Sequence, residues 1–160
     1  MINMGKEIER KFLVDLSKLD TKKYTNWTTE IQQGYLSENI ERTIRIRTDD
    51  KKAFITIKGR TQNITRSEYE YEIPIEDAEE LLKLCDKTII KKRTMIKYNQ
   101  RYWSIDVFEG ENEGLIVAEI ELKSEKEKFA LPPWITEEVS NDSRYLNVQL
   151  LRNPYNKWKN

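Results

Sequence analysis

The chain has 160 residues, the size of one ordinary domain. Lys and Arg total 28 and Asp and Glu total 28, so the formal net charge is zero, without the basic excess of a nonspecific nucleic-acid binder. There is no histidine and a single cysteine, Cys85, which excludes histidine bases, Ser-His and Cys-His pairs, an intrachain disulfide and a cysteine zinc cluster.

An aromatic supply of 4 Trp, 8 Tyr and 4 Phe argues against disorder, and 5 Gly with 4 Pro leave no room for low-complexity linkers. One domain is expected over residues 1–160, with its core over about 5–151. No apolar run reaches the length of a membrane span, and the N-terminus has no signal-peptide core. The sequence reads as soluble and cytoplasmic, with Met4 an alternative start to Met1.

In chain order, period-two alternation predicts strands over residues 7–14, 44–47, 53–58, 66–73, 89–97, 102–108 and 115–123. Residues 15–24 are a weaker helix candidate. Asp49-Asp50-Lys51-Lys52 predicts a hairpin turn, and residues 110–114 a looser one. Residues 75–85 predict a helix, with Ala78, Leu81, Leu82 and Cys85 at helical spacing and acids in the first turn. Pro132-Pro133-Trp134 marks a rigid corner, and residues 143–151 predict a closing helix. Cys85 reads as core packing, Trp103 as an outer-face residue under a helix, and Lys157 and Lys159 as a solvated tail.

Side chains two apart on a strand share a face. Glu7, Glu9 and Lys11 therefore point one way, as do Arg45 and Arg47, and Phe54, Thr56 and Lys58. Arg66, Glu68, Glu70 and Glu72 share a face, Lys91 and Arg93 another, and Glu119 and Glu121 another; Asp106 lies opposite Ile105 and Val107. Two architectures accommodate this. In an open sheet the ionic face lies in water. In a closed antiparallel barrel it lines the interior, with the apolar faces outward beneath helices. Like charges two apart repel unless something opposite lies between them. The recurrence of E-x-E, R-x-R, E-x-E, K-x-R and E-x-E favours the barrel, a mainly β, α+β fold.

The lining then holds seven acids (Glu7, Glu9, Glu68, Glu70, Asp106, Glu119, Glu121) and seven bases (Lys11, Arg45, Arg47, Lys58, Arg66, Lys91, Arg93). They can pair with one another as a buried ionic network, which is costly. Alternatively, the bases hold a polyanion and the acids hard divalent cations. Arg donates two parallel bonds to phosphate, and clustered carboxylates suit Mg2+ or Mn2+.

Glu7-Ile8-Glu9-Arg10-Lys11 resembles the E-x-E-x-K signature of the CYTH superfamily, the triphosphate tunnel metalloenzymes. Arg45-Ile46-Arg47, Thr56-Ile57-Lys58-Gly59, Arg66-Ser67-Glu68-Tyr69-Glu70, Lys91-Lys92-Arg93, Asp106-Val107-Phe108 with Gly110, and Ala118-Glu119-Ile120-Glu121 follow in the family's order. Gln33-Gly34-Tyr35-Leu36 and the stretch from Glu138 to Asn147 are similar to the bacterial branch. Thr94 and Ser140 depart from frequent Tyr and Thr, and Lys92 or Lys97 competes with Lys91 for the K-x-R role.

The resemblance implies an eight-stranded antiparallel β-barrel forming a tunnel. It implies divalent-metal-dependent hydrolysis of a triphosphate-containing small molecule, foremost inorganic tripolyphosphate. By that resemblance Arg45, Arg47, Lys58, Arg66, Lys91 and Arg93 bind the substrate. Glu7, Glu9, Asp106, Glu119 and Glu121 hold Mg2+ or Mn2+, with Glu68 and Glu70 as further ligands or their supports. Lys11 orients or deprotonates the attacking water. The alternatives are adenylyl cyclisation of ATP, thiamine or nucleoside triphosphatase activity, and a non-catalytic polyphosphate-binding module. No nucleic-acid or membrane partner is expected, and a homodimer is compatible with the sequence.

Overall fold

The computed structural model describes residues 5–24 and 26–158, so the alternative start at Met4 and Lys159 of the expected tail lie outside the described residues. The strands are β1 (Gly5–Val14), β2 (Asn26–Ser37), β3 (Arg42–Thr48), β4 (Ala53–Gly59) and β5 (Thr65–Ile73), followed after helix α1 (Ile75–Lys83) by β6 (Thr88–Tyr98), β7 (Arg101–Phe108), β8 (Ile116–Glu121) and β9 (Ile135–Glu138); helix α2 (Asn147–Arg152) comes near the C-terminus. Every pairing between strands is antiparallel. The order β5-β4-β3-β2-β6-β7-β8-β1 closes on itself through β1 and β5, where Glu7 stands opposite Arg66. Strand β9 continues along β1 beyond that ring.

Tight hairpins set the register. Asp49 accepts the Lys51 and Lys52 amides at 2.9 Å each and shapes the expected turn between β3 and β4. Between β6 and β7, Asn99 (φ 49°) and Gln100 (φ 65°) are both left-handed, as a two-residue hairpin matched to strand twist requires. Strand β2 carries no clear alternation in sequence, yet it bridges β3 and β6. Its inward residues include Gln33 and Tyr35, and its outward residues include Thr28 and Glu30, so both faces carry polar groups and hydrophobicity does not mark it.

Over β1, β7 and β8 the outward faces are largely apolar and covered, whereas Ile57 on β4, Tyr69 and Tyr71 on β5 and Ile90 on β6 stay exposed. Ile8, Phe12, Ile96, Trp103, Ile105, Ala118 and Ile120 form one buried cluster with Trp134, packed by Leu19, Tyr24 and Phe129. Trp103 is sealed by Phe12 and Phe129 at ring-centroid separations of 5.7 Å each. Its cover is thus aromatic rings from a strand and a loop rather than the expected helix. The helix considered over residues 15–24 is only a 3-10 turn, Leu16–Lys18, capped by Asp15 and ended by an extended Leu19. Helix α1 lies outside the ring and buries Ala78 and Leu82 against Ile46 and Ala53.

Gly34 is the one place where a missing side chain is required by space. A Cβ there would stand 2.7 Å from Cys85 Sγ and 2.8 Å from Cys85 Cβ. Gly34→Ala is expected to destabilise the protein by about 1–3 kcal/mol through overpacking, read as a lower midpoint in urea. An unchanged midpoint would show that Cys85 has room to move.

The third cluster closes one end of the ring. Ile89, Phe108 and Val117 share the inward parity of Lys91, Asp106 and Glu119, and they pack on Tyr145, Leu150 and Leu151. The closing helix expected over residues 143–151 is a 3-10 turn, Ser143–Tyr145, then an extended Leu146, then α2. Among the described residues no helix is long and apolar enough to cross a membrane.

Candidate functional site

The ring encloses a cavity of about 980 Å³, and every residue singled out from the sequence lines it except Asp106. The wall is built by cross-strand neighbours, most of them of opposite charge, with Glu9 and Glu121 a like-charged exception. Lys11 stands opposite Glu119, Glu9 opposite Glu121, Glu7 opposite Arg66, Lys58 opposite Glu68, and Thr56 opposite both Arg45 and Glu70.

On one side of the cavity Glu7 is the hub. It accepts Lys58 Nζ at 3.0 Å and Arg66 Nε at 2.8 Å, and Lys58 also reaches Glu68 at 3.3 Å. Burial opposes the Glu7 charge, but Lys58 and Arg66 outweigh it and hold the carboxyl well below the usual carboxylate range. On β3 and β4, Thr56 donates to Glu70 at 2.8 Å and accepts from Arg45 Nη2 at 3.2 Å; Arg47 Nη2 lies 3.8 Å from Glu70. Lys11 Nζ sits between Glu9 at 3.9 Å and Glu119 at 3.8 Å, and donates to the Tyr145 carbonyl at 3.4 Å.

Asp106 lies behind the wall. It is 1% exposed and accepts Arg93 Nε at 2.7 Å, Arg93 Nη2 at 2.8 Å and Lys91 Nζ at 2.8 Å. Burial disfavours its charge, yet Arg93 and Lys91 keep its pKa well below the carboxylate range. The bidentate Arg93 takes the larger share of that charge. Lys91 is left undercompensated, lowered to about 8 by burial and by Arg93 despite Asp106. Lys91 is the K-x-R lysine that lines the cavity; Lys92 pairs with Glu30 at 3.7 Å on the outer face, and Lys97 stacks on Tyr102 with its Nζ 5.6 Å from the ring centroid.

Several carboxylates crowd each other. Glu9 is pushed up to about 8 by burial and by the charges of Glu119 and Glu7. Glu68 rises to about 7 through burial and its hydrogen bond to Glu7, and Glu121 is raised by burial, Glu7 and Glu119. Glu7, Glu68 and Glu121 each offer an oxygen within 4.8 Å of the others. This donor set fits a hard divalent cation, which takes carboxylate oxygens and would relieve the crowding. The cationic wall fits an anion by an equally specific sign. Arg45 Nε and Arg47 Nε are buried donors without an acceptor among the described residues, and Arg47 is lowered to about 10 by burial and by Arg45 and Arg93.

Sequence reasoning gave no role to Gln33, Tyr35 or Asn147. Gln33 and Tyr35 fall on β2, where alternation is absent; their parity becomes visible only through the pairing with Arg47 and Arg45. Asn147 comes from α2 and reaches the cavity because that helix closes the end of the ring.

A closed antiparallel ring with an ionic interior and an apolar outer layer over β1, β7 and β8 defines a β protein built around a charged central cavity. The profile of the CYTH domain matches residues 5–153, and the chain belongs to the CYTH family. It is 44% identical over 158 residues to the inorganic triphosphatase of Acetivibrio thermocellus, covering 98% of this chain and 99% of that protein. It is 34% identical over 151 residues to the inorganic triphosphatase of Nitrosomonas europaea, covering 90% and 95% of the two chains. A crystal structure of an inorganic triphosphatase superposes with a TM-score of 0.64 at 33% identity, covering 90% of this chain and 96% of that one.

Proposed function

We propose that the protein hydrolyses the phosphoanhydride bond of a triphosphate, foremost inorganic tripolyphosphate, inside the ring. The observation that carries this reading is the pairing in one cavity of unpartnered guanidinium donors on Arg45 and Arg47 with the converging carboxylates of Glu7, Glu68 and Glu121. The two inorganic triphosphatases that cover nearly the whole chain support it.

In this reading Arg45, Arg47, Lys58, Arg66, Lys91 and Arg93 hold the phosphoryl oxygens and neutralise the charge that builds on them. Glu7, Glu9, Glu119 and Glu121 would hold Mg2+ or Mn2+, with Glu68 and Glu70 completing the set. Asp106, also expected among the ligands, fixes Lys91 and Arg93 from behind the wall. The bound cation supplies charge neutralisation at the phosphates and a more acidic water. Lys11, poised between Glu9 and Glu119, orients the attacking water.

The test is phosphate release from tripolyphosphate, ATP and thiamine triphosphate with Mg2+ or Mn2+ and with a chelator. Release from tripolyphosphate that stops with the chelator is expected. Cyclic AMP from ATP without phosphate release would replace the reading by cyclisation. Arg45→Ala and Arg47→Ala are each expected to lower kcat/KM for tripolyphosphate about tenfold to a hundredfold, the worth of hydrogen bonds to a charged group. Parent-like kinetics in both variants would reject their role.

A further inference from the structure

The closed end of the cavity is built by the C-terminal segment rather than by the strands. Leu146, Asn147 and Val148 line it there. Asn147 Oδ1 accepts Lys91 Nζ at 3.0 Å and Gln33 Nε2 at 2.8 Å. These bonds leave one orientation for each amide. An ammonium only donates, so the Asn147 atom facing Lys91 is the oxygen. Gln33 then has to present its NH2 to that same oxygen. Turning either amide over would set donor against donor or acceptor against acceptor.

Two polar groups are left over as a result. Gln33 is fully buried, and its Oε1 has no partner among the described residues. Asn147 keeps both N–H bonds of Nδ2, and no described residue accepts from them. Lys91 is similarly placed. It has three N–H bonds, of which Asp106 takes one at 2.8 Å and Asn147 another at 3.0 Å. One N–H of this buried ammonium therefore has no oxygen acceptor among the described residues; its other neighbour is the Phe108 ring, whose centroid lies 5.3 Å from Nζ.

Resting on the triphosphate reading, we propose that Asn147 is the end-stop of the binding site. Its Nδ2 donates to the innermost phosphoryl group of a linear phosphate chain, while its Oδ1 holds Lys91 so that the remaining lysine N–H meets the same group. The chain enters by a free terminus, and the C-terminal helix sets how far it goes. A neutral donor suits this position: it adds hydrogen bonds where Lys91 already supplies charge, without another cation beside an undercompensated ammonium.

Asn147→Asp separates this role from a merely structural one. A carboxylate at 147 keeps the acceptor for Lys91 and Gln33 but turns a negative oxygen toward the phosphate. The measurements are KM for tripolyphosphate with Mg2+ and the dissociation constant of tripolyphosphate by calorimetry in EDTA. Asn147→Ala is expected to raise both about tenfold, the loss of hydrogen bonds to a charged group. Asn147→Asp is expected to raise both about a hundredfold, because repulsion adds to that loss. Asn147→Ser, shorter but still a donor, falls between parent and Asn147→Ala. Gln149→Ala, on the same helix but outside the cavity, leaves both constants at the parent value.

Asn147→Asp binding as tightly as Asn147→Ala or better overturns the end-stop. So does Asn147→Ser binding no better than Asn147→Ala, a comparison that stands even if the Asp variant fails to fold. Parent protein that neither binds nor cleaves tripolyphosphate overturns the functional reading itself, a result distinct from either.

Discussion

Glu7→Gln is expected to lower kcat/KM for tripolyphosphate by about a thousandfold or more while the ring stays folded. The substitution keeps the shape and removes the charge. It acts on two sets of partners at once. Lys58 and Arg66 lose the carboxylate that holds them at 3.0 and 2.8 Å, and the Glu7, Glu68 and Glu121 cluster loses its most firmly ionised member. On the proposed reading, the anion-binding and the cation-binding sides of the wall then fail together. The kinetics should be measured across a wide range of Mg2+, with circular dichroism as the check on folding. Activity within about threefold of the parent at the same Mg2+ would mean that Glu7 serves only to neutralise its lysine and arginine neighbours.

Arg93→Leu is expected to be the most destabilising single change on the wall, by about 3 kcal/mol. It strips Asp106 of two hydrogen bonds in a site that is 1% exposed, leaving Lys91 as the partner for a buried charge. Breaking such a pair costs more than the pair itself contributes, because the remaining ion cannot return to water. With a urea slope of about 2 kcal/mol/M, the unfolding midpoint falls by about 1.5 M. The double variant Arg93→Leu with Asp106→Leu should recover only part of that loss, since it removes the undercompensated carboxylate but takes from buried Lys91 its ion-pair partner at 2.8 Å. A single variant as stable as its parent would show that Lys91 alone compensates Asp106. Measured with tripolyphosphate, the same single variant separates the stabilising role of Arg93 from its role toward substrate.

The alternation of charged and apolar residues was enough to place most strands and to sort their faces. Parity depends only on counting by two along an extended chain, so Glu7 with Glu9 and Arg45 with Arg47 could be assigned a common direction before any neighbour was known. The ordered motifs from Glu7 to Glu121 likewise carried the family. What counting could not supply was which strand lies beside which. Glu7 meets Arg66, and Thr56 links Arg45 to Glu70, only because the ring closes in one register, and register is set by turns and by the packing of distant outer faces.

The sequence by itself thus determined which charged side chains share a strand face, the period-two strands that carry them and the exclusion of histidine bases, a disulfide and a cysteine zinc cluster. Only the tertiary structure decided that Asp106 stands behind Lys91 and Arg93 rather than on the cavity surface, that β2 joins the ring, and that α2 seals one end and brings Asn147 to Lys91. The physical reason is one of range. Side-chain direction within a strand is a local consequence of backbone geometry, whereas the partner of a buried polar or charged group is whichever one the closure of the ring carries to it, across 114 residues for Gln33 and Asn147 and 56 for Lys91 and Asn147.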